Sequence, residues 1–180
     1  MASWTHFIPV FTILFLSLNI FSPHMVSADQ RLIDIVCNDP AIKDHDRCLK
    51  TLSTPQGIAA NNVNQLVEIA MNEGAMSGQK TLNVIEEMKK KKKNNRMVEA
   101  ALQVCERTYM YSIDEFKLIA PELDYDTMGA NYDVSLINPE VENCANAVKV
   151  ARLNVPELEE GNRLADYYAT LGYEMTQNMM

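Results

Sequence analysis

Apolar residues recur at steps of three and four between Met97 and Ala151, which is the spacing of one buried helical face. The pattern predicts two helices joined by a loop, with a cysteine at an inward position of each helix. The first stripe consists of Val98, Leu102, Cys105, Tyr109, Ser112, Phe116 and Ile119. The second consists of Val134, Ile137, Val141, Cys144, Val148 and Ala151. Since both cysteines face the same seam, a Cys105–Cys144 bridge fits two helices that lie side by side.

The helical spacing continues through the rest of the chain. A long helix is predicted over roughly Ile58–Met88, and Pro156 is expected to open the last helix. Two shorter helices are predicted ahead of them, over Asp29–Val36 and roughly Pro40–Leu52. The sequence lacks the alternation of apolar and polar residues that is typical of strands. The prediction is therefore an all-α fold, an up-down-up-down four-helix bundle preceded by a short disulfide-closed helical hairpin.

The N-terminal 28 residues are typical of a signal peptide. The apolar run Phe7–Phe21 is followed by small residues at Val26-Ser27-Ala28, and cleavage is expected after Ala28. A membrane anchor is the alternative, but the run is shorter than the ~20 residues that a spanning helix needs. The predicted organisation is a signal peptide over 1–28, the hairpin over 29–53 and the bundle over 54–180, with 29–180 forming one domain.

Four cysteines lie beyond the predicted leader, which fits an oxidising compartment. Three pairings are possible, and the favoured one joins neighbours along the chain, Cys37 to Cys48 and Cys105 to Cys144. Zinc binding is the competing interpretation, but the spacings C-x10-C and C-x38-C contain no C-x2-C half-site. No metal site is therefore predicted.

Charge and chemistry favour a binding protein over an enzyme. A net charge of −8 disfavours nucleic-acid binding and favours basic partners. The run Lys89–Lys93 is interpreted as a solvated loop between helices, because no aromatic residues that could stack on bases interleave with it. His45 is the single histidine beyond the leader, and the motifs of phosphate, dinucleotide and metalloprotease sites are missing. Neither catalysis nor a cofactor is predicted.

The ordered motifs of the chain resemble those of a known family. Cys37-Asn38-Asp39-Pro40 opens the predicted hairpin, and Cys48-Leu49-Lys50-Thr51-Leu52 closes it. Later come Ala101-Leu102-x-x-Cys105-x-x-x-Tyr109 and then Asp124-Tyr125-Asp126 ahead of Cys144. Together with the leader, this set resembles the plant invertase and pectin methylesterase inhibitor family over nearly the whole mature chain.

The resemblance implies a four-helix bundle with a preceding hairpin, and disulfides that join the first cysteine to the second and the third to the fourth. It also implies a protein secreted to the plant cell wall (the apoplast) that inhibits a pectin methylesterase or an acid invertase in a one-to-one complex covering the enzyme's cleft. The free protein is expected to be a monomer without membrane attachment.

Invertase inhibitors of this family carry a Pro-Lys-Phe motif before the third bundle helix. The corresponding stretch, Asp124–Thr127, lacks that motif, so pectin methylesterase is the favoured target. Invertase inhibition stays open as one alternative. The other is a non-inhibitory storage or ligand-carrying bundle whose methionines line an apolar pocket.

A candidate partner surface lies opposite the buried stripe of the Met97 helix, and it continues into the acidic connection that follows. That connection is predicted over Glu122–Asn131, because Pro121 is expected to end the helix. A disulfide beneath this surface would hold two helices rigid, which lowers the ordering cost of association. The candidate contact residues are Gln103, Arg107, Asp114, Lys117, Asp124, Tyr125 and Asp126.

Overall fold

The computed structural model describes residues 28–91 and 95–179, so the predicted leader up to residue 27 and part of the lysine run lie outside it. Regular structure in the described residues is entirely helical. The helices are α1 (Ala28–Cys37), α2 (His45–Leu52), α3 (Pro55–Ile58), α4 (Val63–Lys91), α5 (Arg96–Glu122), α6 (Thr127–Val150) and α7 (Pro156–Gln177). Across these two ranges, no helix combines the length and the apolar character that a membrane span requires.

Helices α4 to α7 form the bundle. Each packs against the next in sequence order, and α7 returns to pack against α4. The short connections between them require antiparallel neighbours, so the predicted up-down-up-down topology is confirmed. Helices α1 and α2 pack on each other ahead of the bundle, which confirms the predicted hairpin.

The bundle core consists of the apolar stripes that the sequence predicts. All seven stripe residues of α5 are buried, as are the stripe residues of α6, and Ala151, directly after α6, is half-buried. Burial of each large apolar side chain contributes ~1.5–3 kcal/mol, so these stripes supply much of the driving force for folding. The other two helices contribute Leu66, Val67, Ala70, Met71, Ile85, Leu158, Ala165, Leu171 and Met175, among others.

Two glycines let α4 approach α5 closely. A Cβ atom at Gly74 would lie 2.9 Å from the ring of Phe116, and one at Gly78 would lie 2.9 Å from Cγ1 of Ile113. Each glycine lowers helix propensity by about 1 kcal/mol relative to alanine. The close packing of two large α5 side chains offsets that loss.

Both disulfides join cysteines that are neighbours along the chain, as the favoured pairing predicts. Cys37 and Cys48 close the hairpin with their Cα atoms 5.5 Å apart. Cys105 and Cys144 tie α5 to α6 with their Cα atoms 4.4 Å apart. His45 supports the first bridge, because its Nδ1 donates a hydrogen bond to the Cys37 carbonyl oxygen at 2.9 Å. This contact gives His45 a structural role.

The hairpin packs onto the bundle through one cation and a pair of aromatic rings. The guanidinium of Arg47 lies 5.5 Å from the ring centroid of Tyr167 and pairs with Asp44 at 2.8 Å. The rings of Tyr167 and Tyr168 meet edge to face, with their centroids 5.0 Å apart. Cationic and aromatic contacts of this kind supplement the apolar burial of Leu52 at the base of the hairpin.

The predicted start of the long bundle helix at Ile58 was wrong. The chain first forms α3 and then breaks over residues 59–62, so α4 begins at Val63. Asn62 Oδ1 accepts a hydrogen bond from Gln65 N at 3.1 Å and satisfies one of the free donors at the start of α4. The predicted start of α2 at Pro40 was also wrong. Asp44 caps that helix, which begins at His45.

The connection between α5 and α6 is shorter than predicted. Pro121 does not end α5 but lies in its last turn, where a proline removes a single helical hydrogen bond. Helix α6 begins directly after Asp126, whose Oδ1 accepts a hydrogen bond from Gly129 N at 2.9 Å. The turn therefore comprises residues 123–126 rather than the predicted Glu122–Asn131.

Candidate functional site

The outward face of α5 carries four of the predicted contact residues. Gln103, Arg107, Asp114 and Lys117 are all exposed, on the opposite side of the helix from Cys105. Within the described ranges, the three charged side chains take part in no ion pair. Their charges are therefore available to a partner.

The α5–α6 turn holds the other three predicted residues. Tyr125 is 80% exposed, and Asp124 beside it is also exposed. Asp126 differs because its carboxylate caps α6 by accepting from Gly129 N. The structure therefore gives Asp126 a structural role and leaves Asp124 and Tyr125 open to solvent.

Three exposed apolar residues beside this turn were missed in the sequence. Leu118 on α5 is 56% exposed, and Met128 and Tyr132 on α6 are 71% and 63% exposed. They fall outside the buried stripes, so an apolar residue at an outward helical position was the available signal. Exposed aromatic and methionine side chains are enriched where proteins bind one another. We define the α5–α6 surface as Gln103, Arg107, Asp114, Lys117, Leu118, Asp124, Tyr125, Met128 and Tyr132.

A rigid groove runs between α5 and α6 beside this surface. It has a volume of about 470 Å³, and its walls include Arg107, Tyr111 and Asn143. Thr108 Oγ1 on α5 donates a hydrogen bond to the Glu140 carbonyl oxygen on α6 at 3.1 Å. Together with the Cys105–Cys144 bridge, this contact fixes the two helices relative to each other.

Acidic groups collect between α5 and α6 toward the turn. Burial is the largest cause that raises the pKa of Glu115, and the negative charge of the Asp133 carboxylate is the second. The same two causes, in the same order, raise the pKa of Glu122. Burial and the nearby Glu115 carboxylate raise the pKa of Tyr111 to about 12. The electrostatic potential here is negative, which suits a basic partner.

The α5–α6 surface combines several kinds of exposed side chain. It offers exposed aromatic, apolar and charged side chains on two helices that a disulfide holds together. His45 lies apart from this surface, in the hairpin, with its Nδ1 committed to the Cys37 carbonyl oxygen. The fold defines a class, namely disulfide-tied four-helix bundles that are preceded by a helical hairpin.

Comparison with known proteins identifies the family. The family model for plant invertase/pectin methylesterase inhibitors matches residues 31–179. The chain therefore belongs to the plant invertase/pectin methylesterase inhibitor family, and the resemblance seen in the sequence is confirmed. Members of this family are inhibitors, so the prediction that the chain is not an enzyme is also confirmed, and the family implies a protein enzyme as partner.

A solved structure shows the same fold. The chain is similar to the crystal structure of mutant form A of a pectin methylesterase inhibitor from Arabidopsis, with a TM-score of 0.69 and 18% sequence identity. The match covers 81% of this chain and 95% of that chain. At this identity the likeness supports the architecture alone. No curated protein sequence matches the chain.

Proposed function

We propose that this protein is a secreted inhibitor of plant pectin methylesterase that blocks the enzyme by forming a one-to-one complex over its cleft. The observation that carries the proposal is the family match over residues 31–179, which names pectin methylesterase and invertase as targets. The choice between them rests on Asp124–Thr127, which lacks the Pro-Lys-Phe motif of invertase inhibitors. The protein would act as a monomer in the apoplast after removal of residues 1–28.

The α5–α6 surface is the proposed contact region. Its exposed residues come from two helices and the turn between them, so they can cover a broad area of a partner. The Cys105–Cys144 bridge and the Thr108–Glu140 hydrogen bond hold these helices in place before binding. Less conformational entropy is then lost on association, which favours a tight complex.

Charge supports the same partner class. The chain carries a net charge of −8, and the acidic groups near the α5–α6 turn make that end of the bundle negative. A negative surface attracts a basic enzyme over the ~10 Å Debye length of 0.1 M salt and raises the association rate. The hairpin over 29–53 and the bundle over 54–180 are proposed to act as one inhibitor domain, joined by the packing of Arg47 on Tyr167.

The packing around the core methionines gives the ligand-carrying alternative no support. Met71 is fully buried, and Met175 is 2% exposed. The side chain of Met71 occupies the space that a Cβ atom at Gly172 would take. A cleft of about 540 Å³ lies instead between the hairpin and the bundle, where Asp46, Lys50 and Glu73 line it with charge. Such a lining does not suit an apolar ligand.

Parallel inhibition assays test the proposal. The mature protein, Asp29–Met180, is mixed near pH 5 with a plant pectin methylesterase and, separately, with a plant cell-wall invertase. We expect loss of esterase activity at concentrations where invertase keeps its full rate. Inhibition of invertase alone would move the target to the other enzyme of the family. Full activity of both enzymes, across several isoforms of each, would reject the proposed function.

A further inference from the structure

The methionines of the described residues differ widely in their exposure to solvent. Met71 and Met175 lie in the core, whereas four others are exposed. The exposed fractions of those four side chains are 71% for Met128, 60% for Met97, 55% for Met110 and 50% for Met76. Packing within the bundle therefore does not explain why these four positions carry methionine.

Two of the exposed methionines lie within the candidate contact region. Met110 follows Arg107 by three residues and precedes Asp114 by four, so it lies between these two charges on the outward face of α5. Met128 is the second residue of α6, and Tyr132 lies one turn further along the same face. A partner that covers the α5–α6 surface would therefore also cover both methionines.

The other two exposed methionines lie outside that region. Met76 is in the middle of α4, and Met97 is in the first turn of α5, at the opposite end of that helix from the α5–α6 turn. Met76 thus matches Met110 as an exposed residue in the middle of a long helix. Met97 matches Met128 as the second residue of its helix. The chain supplies a control for each candidate.

Methionine is the sulfur side chain of this protein that a peroxide can oxidise. All four cysteines are joined in the two disulfides, so no thiol competes for the oxidant. The thioether sulfur attacks one oxygen of hydrogen peroxide, the O–O bond breaks and an S–O bond forms. The sulfur loses two electrons and becomes a sulfoxide. The second oxygen leaves as hydroxide and takes up the remaining proton to form water.

We propose that Met110 and Met128 form an oxidation site through which hydrogen peroxide weakens binding at the α5–α6 surface. On the free protein the sulfoxide oxygen is hydrated, so the fold tolerates it. In the complex this oxygen is removed from water, and a polar group that is buried without a hydrogen bond opposes association. Methionine sulfoxide reductases reverse the reaction. The effect on binding rests on the proposed function, whereas the oxidation site belongs to the free protein.

Peptide mapping by mass spectrometry tests the site without any enzyme. The mature protein, with its disulfides intact, is treated with a limiting amount of hydrogen peroxide, and the sulfoxide fraction is measured at each methionine. We expect Met110 and Met128 to be converted while Met71 and Met175 keep their thioethers. The melting temperature should change by no more than a few degrees. The proposal fails if Met110 or Met128 is converted only after the core methionines, or if the protein unfolds as the two sulfoxides form.

Inhibition of pectin methylesterase by the treated protein tests the consequence for binding. Excess peroxide is destroyed with catalase before the enzyme is added, so that the inhibitor alone is oxidised. We expect the treated wild type to bind about tenfold more weakly than the untreated one.

Two double variants locate the effect, and each is compared with its own untreated sample. Met110→Leu with Met128→Leu keeps apolar side chains of similar volume without the sulfur, so its affinity should be the same before and after treatment. Met76→Leu with Met97→Leu should lose affinity on treatment as the wild type does. An equal loss in the two double variants would overturn the proposal, as would a wild type that carries both sulfoxides and binds as tightly as before.

Reduction gives a second measurement on the wild type itself. Methionine sulfoxide reductases for both sulfoxide epimers should restore the thioethers and, with them, the affinity. Weak binding that persists after both thioethers are restored would contradict the proposal.

The same experiments separate this proposal from the proposed function. If both sulfoxides form on the folded protein but the untreated protein inhibits no enzyme, the oxidation site stands and the proposed function fails. If the untreated protein inhibits the esterase and both sulfoxides leave inhibition unchanged, the function stands and its regulation by peroxide fails.

Discussion

At the scale of single residues, Arg152 is held in an unfavourable backbone conformation. Its φ of 52° lies in the left-handed region, which residues other than glycine rarely adopt. The position is fixed by the end of α6, where Arg152 N donates to Lys149 O at 3.1 Å and Leu153 N donates to Val148 O at 3.0 Å. These two bonds form a Schellman motif, whose left-handed position is usually glycine.

Replacing this arginine with glycine should therefore stabilise the protein. Relief of the left-handed strain is worth ~1–2 kcal/mol, and the added freedom of glycine in the unfolded chain subtracts ~0.5–1 kcal/mol. We expect Arg152→Gly to raise the free energy of unfolding by about 0.5–1 kcal/mol in a urea titration. Arg152→Ala removes the same charge but keeps a Cβ atom, so it should bring no gain. Equal stability of the two variants would contradict this explanation.

At the scale of elements, the buried faces of the helices were predictable but their ends were not. Apolar spacing reports directly which side of α5 or α6 meets the core. A helix start depends instead on which side chain satisfies the first free backbone N–H groups, and several candidates compete along the chain. Pro40 and Ile58 were predicted as helix starts, whereas Asp44 caps α2 and Asn62 accepts a hydrogen bond at the start of α4.

The residues of the candidate surface were also predictable only in part. The exposed charges of α5 could be assigned from the sequence, because they lie opposite a continuous apolar stripe. Leu118 and Tyr132 were missed although they lie outside the apolar stripes, because an apolar residue at an outward position can also pack against another element. The crowding of Glu122 and Asp126 over Gly129 also escaped the sequence, since it depends on the geometry of the turn.

The two disulfides should differ in what they contribute. The Cys105–Cys144 bridge has a sequence separation of 39 and joins two core helices, whereas Cys37–Cys48 has a separation of 11 and closes the hairpin. Chain entropy predicts a stabilisation near 4 kcal/mol for the longer loop and about 3 kcal/mol for the shorter one. We expect Cys105→Ser to lower the melting temperature more than Cys37→Ser. An equal or larger drop for Cys37→Ser would show that the hairpin bridge dominates.

At the scale of the whole molecule, binding should depend on charges that folding does not need. Asp114 and Asp124 are exposed, and they take part in no ion pair of the described residues. Reversing both to lysine should weaken inhibition of the esterase at least tenfold, because each would then oppose a basic partner. The melting temperature should stay within a few degrees of the wild type.

A matched double reversal separates local contact from net charge. Glu86→Lys with Asp166→Lys makes the same charge change at exposed positions of α4 and α7, away from the α5–α6 surface. This control should weaken inhibition only slightly, and salt should remove the effect. If both double variants lose inhibition equally, net charge rather than the α5–α6 surface determines binding.

The most direct test of the central claim is a titration of pectin methylesterase activity with the purified mature protein, at an enzyme concentration well above the dissociation constant. If the inhibitor covers the cleft in a one-to-one complex, activity should fall linearly with added inhibitor and reach its floor at a molar ratio of one. Activity that stays constant at large molar excess, or that reaches its floor at a different ratio, would contradict the account.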